Sequence, residues 1–193
     1  IAKRGTLLDL LPSATCSVFA FQCGKEDGTG LIAFAKQLVA EKVRSATLLE
    51  EVGIVWFDTF NLNRVPREGG PLACDESGKA ALLGTLESIR PSSGSPILRG
   101  IRSAIEFSGA SRAQARSVIL IANGATNRTD WGDEAFFARQ GSELTQLNAG
   151  SAELHVILYG AQDSRVTKFL EQLAADNRGS VVWLEAKTLK RQR

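Results

Sequence analysis

The sequence predicts an α/β domain: a doubly wound, mostly parallel six-stranded sheet with one antiparallel edge strand and helices on both faces. Two observations carry this. Short β-branched and aromatic runs, nearly all apolar, alternate with stretches whose apolar residues recur at helical spacing. Strands without polar alternation are strands buried on both faces, the environment of a parallel sheet covered by helices. In one place the next strand-like run follows within a few residues, too few for a crossover helix, so that run must turn back antiparallel.

In chain order, Ser17–Phe21 reads as the first strand. Leu31, Phe34, Ala35, Leu38 and Val39 then recur at i, i+3, i+4, i+7 and i+8, one apolar stripe on a helix. Gly53–Phe57 is the second strand, and the short connection "DTFN" leads to Leu62–Val65, the antiparallel edge strand. Pro66 ends it, and an edge tolerates a proline because no ladder partner needs its N–H. Ser77–Ser88 and Pro96–Phe107 read as helices, with Pro96 suited to a first helical position. Ser117–Ile121 is a strand and Asp133–Asn148 a helix. Leu154–Leu158 follows as a strand, then a helix in which Val166, Phe169, Leu170, Leu173 and Ala174 repeat the first helix's spacing, then the strand Val181–Leu184. Asp133 and Ser164 are residue types that cap or open helices. Trp56 and Trp183 lie in strands and are expected in the core. Phe136 and Phe137 are adjacent, so one helical stripe cannot bury both.

With 193 residues and 44% apolar content the chain has material for one sizeable core and one domain, expected over residues 11–186. Residues 1–10 read as an N-terminal extension and residues 187–193 as a basic tail or linker. A formal charge of +2 gives no general attraction to nucleic acid or anionic membrane. Lys187, Lys190, Arg191 and Arg193 are a local exception, and such a terminal charge run reads as solvated. The first residue is Ile1 and methionine is absent, the expectation for a piece of a longer polypeptide or a processed product. No apolar run approaches the roughly 18–20 residues that span a bilayer. Cys16 and Cys23 bracket a strand, where free cysteine acts as a small hydrophobe, and Cys74, in a loop, is a candidate to pair with either. The cellular compartment stays open.

By the open-sheet rule, ligands sit beyond the carboxyl ends of the strands. The loops converging there are "QCGKEDGTG", "SSGSPILRG" and "ANGATNRTDWGDE". Gly24, Gly28 and Gly30 do not have dinucleotide-loop spacing, and no phosphate-loop lysine motif occurs. His155, the single histidine, lies inside an apolar strand and reads as a strand residue with a satisfied imidazole, so no Ser/His/acid or Cys/His set is expected to converge. Trp131, in the polar stretch "RTDWGDE", is either a lid packed on its own helix or an exposed anchor for a partner.

The order and spacing of these elements resemble the von Willebrand factor A domain family over nearly the whole chain. "VGIVWFDTF" resembles that family's second strand and turn, "GSPILRGIRSAI" its Gly-Gly-Thr-Pro-Leu loop and helix, and "RSVILIANGATN" its strand ending in Thr-Asp-Gly. "ELHVILYGAQDSRVTKFLEQLAADNRGSVVWLE" resembles its fifth strand, last helix and sixth strand. The family commonly holds a divalent metal through Asp-x-Ser-x-Ser, a Thr and an Asp. Those positions fall here on Gln22, Gly24, Glu26, Ser95 and Asn123, and Ser95 alone keeps the expected hydroxyl. A hard cation wants carboxylates, and amides in place of both aspartates remove two formal charges. The resemblance therefore implies a non-enzymatic protein–protein interaction module, part of a larger protein or assembly. It would bind through Gln22–Gly30, Ser92–Ile97 and Asn123–Glu134, Trp131 included, with no cofactor. One alternative keeps Mg²⁺ on Glu26 and Ser95, with Asp27 or Asp130. Another is a small-molecule-binding α/β enzyme, which calls for a ligand-sized pocket with a perturbed acid or base and for which no residue set stands out.

Overall fold

A computed structural model of the chain describes residues 7–23, 30–58, 61–92, 96–123, 133–160 and 164–185. After a short 3₁₀ turn at Leu7–Leu10 come β1 (Cys16–Gln22), α1 (Leu31–Ser45), β2 (Glu51–Phe57), β3 (Leu62–Val65) and β4 (Leu72–Ala73). There follow α2 (Glu76–Ser88), α3 (Ile97–Gly109), β5 (Arg116–Ala122), α4 (Glu134–Asn148), β6 (Glu153–Tyr159), α5 (Ser164–Asp176) and β7 (Val181–Leu184). The strands form one sheet in the order β3-β2-β1-β5-β6-β7. The pairs β1–β2, β1–β5, β5–β6 and β6–β7 are parallel, and β3 turns back antiparallel on β2 as its four-residue spacing requires. The doubly wound α/β architecture is as the sequence predicts, with one addition. The two-residue β4 pairs antiparallel with the start of β2, at Glu51↔Ala73 and Val52↔Leu72.

Register explains why the strands look continuously apolar. Phe19 stands beside Ile54 on one flank and Ile119 on the other, and from Ser17 to Ala20 every residue of β1 has a buried neighbour on each side; all of β1 is itself buried. Alternate residues feed separate cores. Val18, Ala20, Val118 and Leu120 meet α3, α4 and α5, including Ile101, Phe137 and Leu170. Phe19, Phe21, Ile119 and Ile121 meet α1 and α2, including Phe34, Leu38 and Leu82. Leu7 and Leu10 of the 3₁₀ turn pack against this second core. Glycine permits the close approach of α3: a Cβ on Gly100 would lie 2.2 Å from the Phe57 ring, and one on Gly53 would lie 2.6 Å from that of Phe107.

The helix ends follow local chemistry. Asp133 caps α4 by accepting the Phe136 N–H at 3.0 Å, and α5 opens at Ser164, both as expected. Pro96 precedes α3 as its N-cap rather than standing inside it. The cap of α2 is Asp75, whose carboxylate accepts the Gly78 N–H at 2.7 Å. Below these ends, a buried pair of asparagines ties α4 to α5. Asn148 donates to Ala152 O (2.7 Å) and Asn177 Oδ1 (2.8 Å), while Asn177 donates to Leu173 O (2.8 Å) and Thr145 Oγ1 (3.1 Å).

Two sequence expectations are corrected. Trp56 is half-buried against the second core, but Trp183 is 50% exposed, because β7 is an edge strand with no neighbour beyond it among the described residues. Cys74 does not pair with Cys16 or Cys23; all three are buried free thiols. Cys16 belongs to the first core and Cys74 to the second, on opposite faces of the sheet. Cys23 shares the face of Cys74 but lies at the other end of β1, about 23 Å away at the rise of a strand.

Candidate functional site

The strand order reverses at β1, whose successor β2 lies on one side and β5 on the other. A crevice opens beyond the carboxyl ends of strands flanking such a point. Gln22 is the last residue of β1 and Asn123 the first after β5; they are 1% and 8% exposed. The Gln22 Oε1 accepts the backbone N–H of Asn123 at 3.5 Å, so the two predicted positions meet across the β1–β5 junction. The described ends of the first two loops, Cys23 and Ser92, meet there as well. Cys23 donates its N–H to Phe57 O (3.0 Å) and accepts that of Ser92 (2.6 Å), tying the end of β1 to the end of β2 and to the segment entering α3. Gly24, Glu26, Ser95 and Trp131 lie outside the described residues, as do Asp27 and Asp130.

One carboxylate at this edge escaped the sequence reading. Asp58, directly after β2, is 6% exposed. Its Oδ1 accepts the Asn61 N–H at 2.8 Å and its Oδ2 the Asn61 side-chain amide at 3.1 Å, while its own N–H bonds to Asn61 O at 3.0 Å. That arrangement closes the β2–β3 hairpin. The available signal was an Asp three residues before an Asn between two strands, a turn pattern in which the Asx side chain bonds the backbone.

Among the described residues, the donors here fit a metal poorly. Mg²⁺ is bound through one or two carboxylates, whereas Gln22 and Asn123 present neutral amides and Asp58 holds Asn61. Among the described residues, no group of three His, Cys, Asp or Glu side chains comes together in a way that holds a metal. Away from this edge, Lys36 donates to Ile89 O at 2.6 Å, and burial, then the nearby Arg90, pulls its pKa below the ordinary lysine value.

His155 is a strand residue with both ring nitrogens engaged, as expected: Nδ1 with Ser180 Oγ at 3.1 Å and Nε2 with Glu153 Oε2 at 3.2 Å. A Ser–His–Glu line therefore does form, contrary to the expectation that none would converge. It required the strand register and the turn after α5. A groove of about 630 Å³ runs between α4 and α5, floored by Phe137, Phe169 and Leu173 and rimmed by Glu134, Arg165, Lys168 and Asp176. Phe137 is the buried member of the adjacent aromatic pair; Phe136 is half-buried, with Arg139 5.6 Å from its ring centroid. No helix among the described residues is long and apolar enough to cross a membrane.

No protein-family model and no curated protein matches this chain. Solved structures do. A von Willebrand factor type A protein from Catenulispora acidiphila superposes with a TM-score of 0.71 at 19% identity, over 89% of this chain and 39% of that one. The pilus adhesin SpaC from Lactobacillus rhamnosus GG gives 0.65 at 11% identity, over 93% of this chain and 28% of that one. The vWF domain of the type V pili tip protein Mfa5 from Porphyromonas gingivalis gives 0.60 at 12% identity, over 90% of this chain and 91% of that domain. The chain thus spans well under half the length of the first two. With β1 at the switch point, β3 antiparallel at one edge and these structures superposing on nine-tenths of the chain, the fold is that of a von Willebrand factor A-type domain.

Proposed function

We propose that this domain is a non-enzymatic protein-interaction module that binds its partner through the loops beyond the carboxyl ends of β1, β2 and β5, without a bridging cation. The observation that carries the reading is the buried amide pair Gln22 and Asn123. Where members of the resembled family place carboxylates for a metal, this chain places neutral groups, one of which hydrogen-bonds across the junction. Affinity then comes from shape, hydrogen bonds and buried apolar anchors, with Gly24, Glu26, Ser95 and Trp131 as further members of the surface. Pilus adhesin and pilus tip proteins among the structural neighbours support a binding role. The chain's share of their length leaves the rest of such an assembly to other domains.

The test is a thermal melt in EDTA against millimolar Mg²⁺, Mn²⁺ and Ca²⁺, on the native chain and on Gln22→Asp/Asn123→Asp. A cation at 100 times its Kd adds roughly 2.7 kcal/mol to the native state. The native chain should show no shift, and the double variant should gain one. A shift in the native chain that vanishes in Glu26→Ala would instead establish the metal-dependent reading.

A further inference from the structure

The two edges of the sheet differ. β3 is blunted: Asn63 and Arg64 lie within it, Pro66 follows it, and Arg64 is pinned by its Nε–H to Arg67 O at 2.9 Å and by the Phe107 ring 5.4 Å away. β7 reads Val-Val-Trp-Leu, with no charge and no proline, every side chain partly exposed and Trp183 half exposed. An apolar edge of this kind is a template for another strand.

We propose that β7 pairs antiparallel with β7 of a second copy of this chain, extending the sheet across a twofold axis. The backbone fixes the register. Ser180 O accepts the Val156 N–H and Leu184 O that of Gly160, both at 2.9 Å, so the even-numbered residues of β7 face β6. The N–H and C=O groups of Val181 and Trp183 point outward and form the hydrogen-bonded pairs of a new ladder. Placing Trp183 opposite Val181 of the second copy satisfies this twice. It also makes two aromatic–β-branched cross-strand pairs on the α5 face and sets Val182 against its own copy on the other. Growth stops at two, because the edges left exposed are the blunted β3 strands. The surface is distinct from the carboxyl-edge loops, so its failure leaves the loop-binding reading untouched.

Sedimentation equilibrium of the 193-residue chain tests this between about 10 µM and 1 mM, the range suited to an interface below about 1,200 Å². The weight-average mass should rise from 20.7 kDa toward twice that value. Trp183→Lys should hold it at the monomer at every concentration with an unchanged melting curve; should that variant not fold, Trp183→Thr replaces it. Leu49→Lys, at the 88% exposed leucine of the α1–β2 turn, should associate as the native chain does. A native chain still at 20.7 kDa at the highest concentration would overturn the proposal, as would growth beyond two copies, or monomers produced by Leu49→Lys and not by the Trp183 variants.

Discussion

Replacing Gly100 with alanine probes the contact that sets α3, and with it the entry of the second loop into the site. The added Cβ would stand 2.2, 2.4 and 2.7 Å from Cε1, Cδ1 and Cζ of Phe57, more than an ångström inside ordinary contact for the closest atom. Phe57 is fully buried between β3 and α3, so its ring has nowhere to swing. Overpacking of this kind costs about 1–3 kcal/mol, and alanine returns about 1 kcal/mol of helix propensity. The net expectation is a loss of up to about 2 kcal/mol. Gly84→Ala in α2 supplies the control, because nothing lies within 4 Å of its Cβ and only the propensity gain of about 1 kcal/mol remains. Chemical denaturation by urea, read by far-UV circular dichroism, gives both values. The two variants should differ by about 1–3 kcal/mol, the strain alone, and Phe57→Leu should recover part of the loss in Gly100→Ala. Equal stabilisation by Gly84→Ala and Gly100→Ala would mean that α3 does not rest on Phe57, and the site geometry built on it would fail.

Further outcomes follow from the buried polar groups. Asn148→Ala leaves Asn177 Oδ1 and the Ala152 N–H and C=O without their bonds, and should cost about 2–4 kcal/mol in urea titrations; full additivity with Asn177→Ala would refute the network. Cys16, Cys23 and Cys74 should be silent toward a thiol reagent in the native state and react as three on denaturation, whereas fast native labelling would contradict their burial. Burial pushes the Cys16 thiol up to about 11 and raises Cys74 as well. The folded state therefore holds these protons more tightly, and stability should fall as pH rises from about 8.5 toward the folded values, a fall that Cys16→Ala reduces. At acid pH the sign reverses for Glu50. Burial pushes its carboxyl up, but the bonds from Lys42 and the Thr47 N–H outweigh it and hold the pKa below the ordinary value. Its contribution is present above about pH 4.3 and lost as pH falls through the folded value, and Glu50→Gln should flatten that limb.

Much of this fold is legible in the sequence because the doubly buried strands carry a local signature. The residues of β1 and β5 are apolar on both faces, and the stripes of α1 and α5 have one period over eight or more residues. What escaped depended on tertiary neighbours. Trp183 has the composition of a core residue, but only strand order makes β7 an edge. β4, two residues long, has no period to detect. Asp75 acts through a backbone bond to Gly78 and Asp58 through its bonds to Asn61, and the meeting of His155 with Ser180 rests on the β6–β7 register. At the site, Gln22 and Asn123 were placed through the family resemblance, since an amide at a strand end carries no chemical signal of its own; Asp58 had no counterpart in that pattern.

The central claim is that the amide pair at the switch point leaves the carboxyl-edge loops without a cation. Its most direct measurement is the electron paramagnetic resonance signal of free Mn²⁺ titrated with the chain. The account predicts that the signal stays at its protein-free amplitude at any ratio of chain to ion. A saturable loss of signal at one ion per chain, reversed by Glu26→Ala and competed by Mg²⁺, would contradict it and place a metal where Gln22 and Asn123 meet.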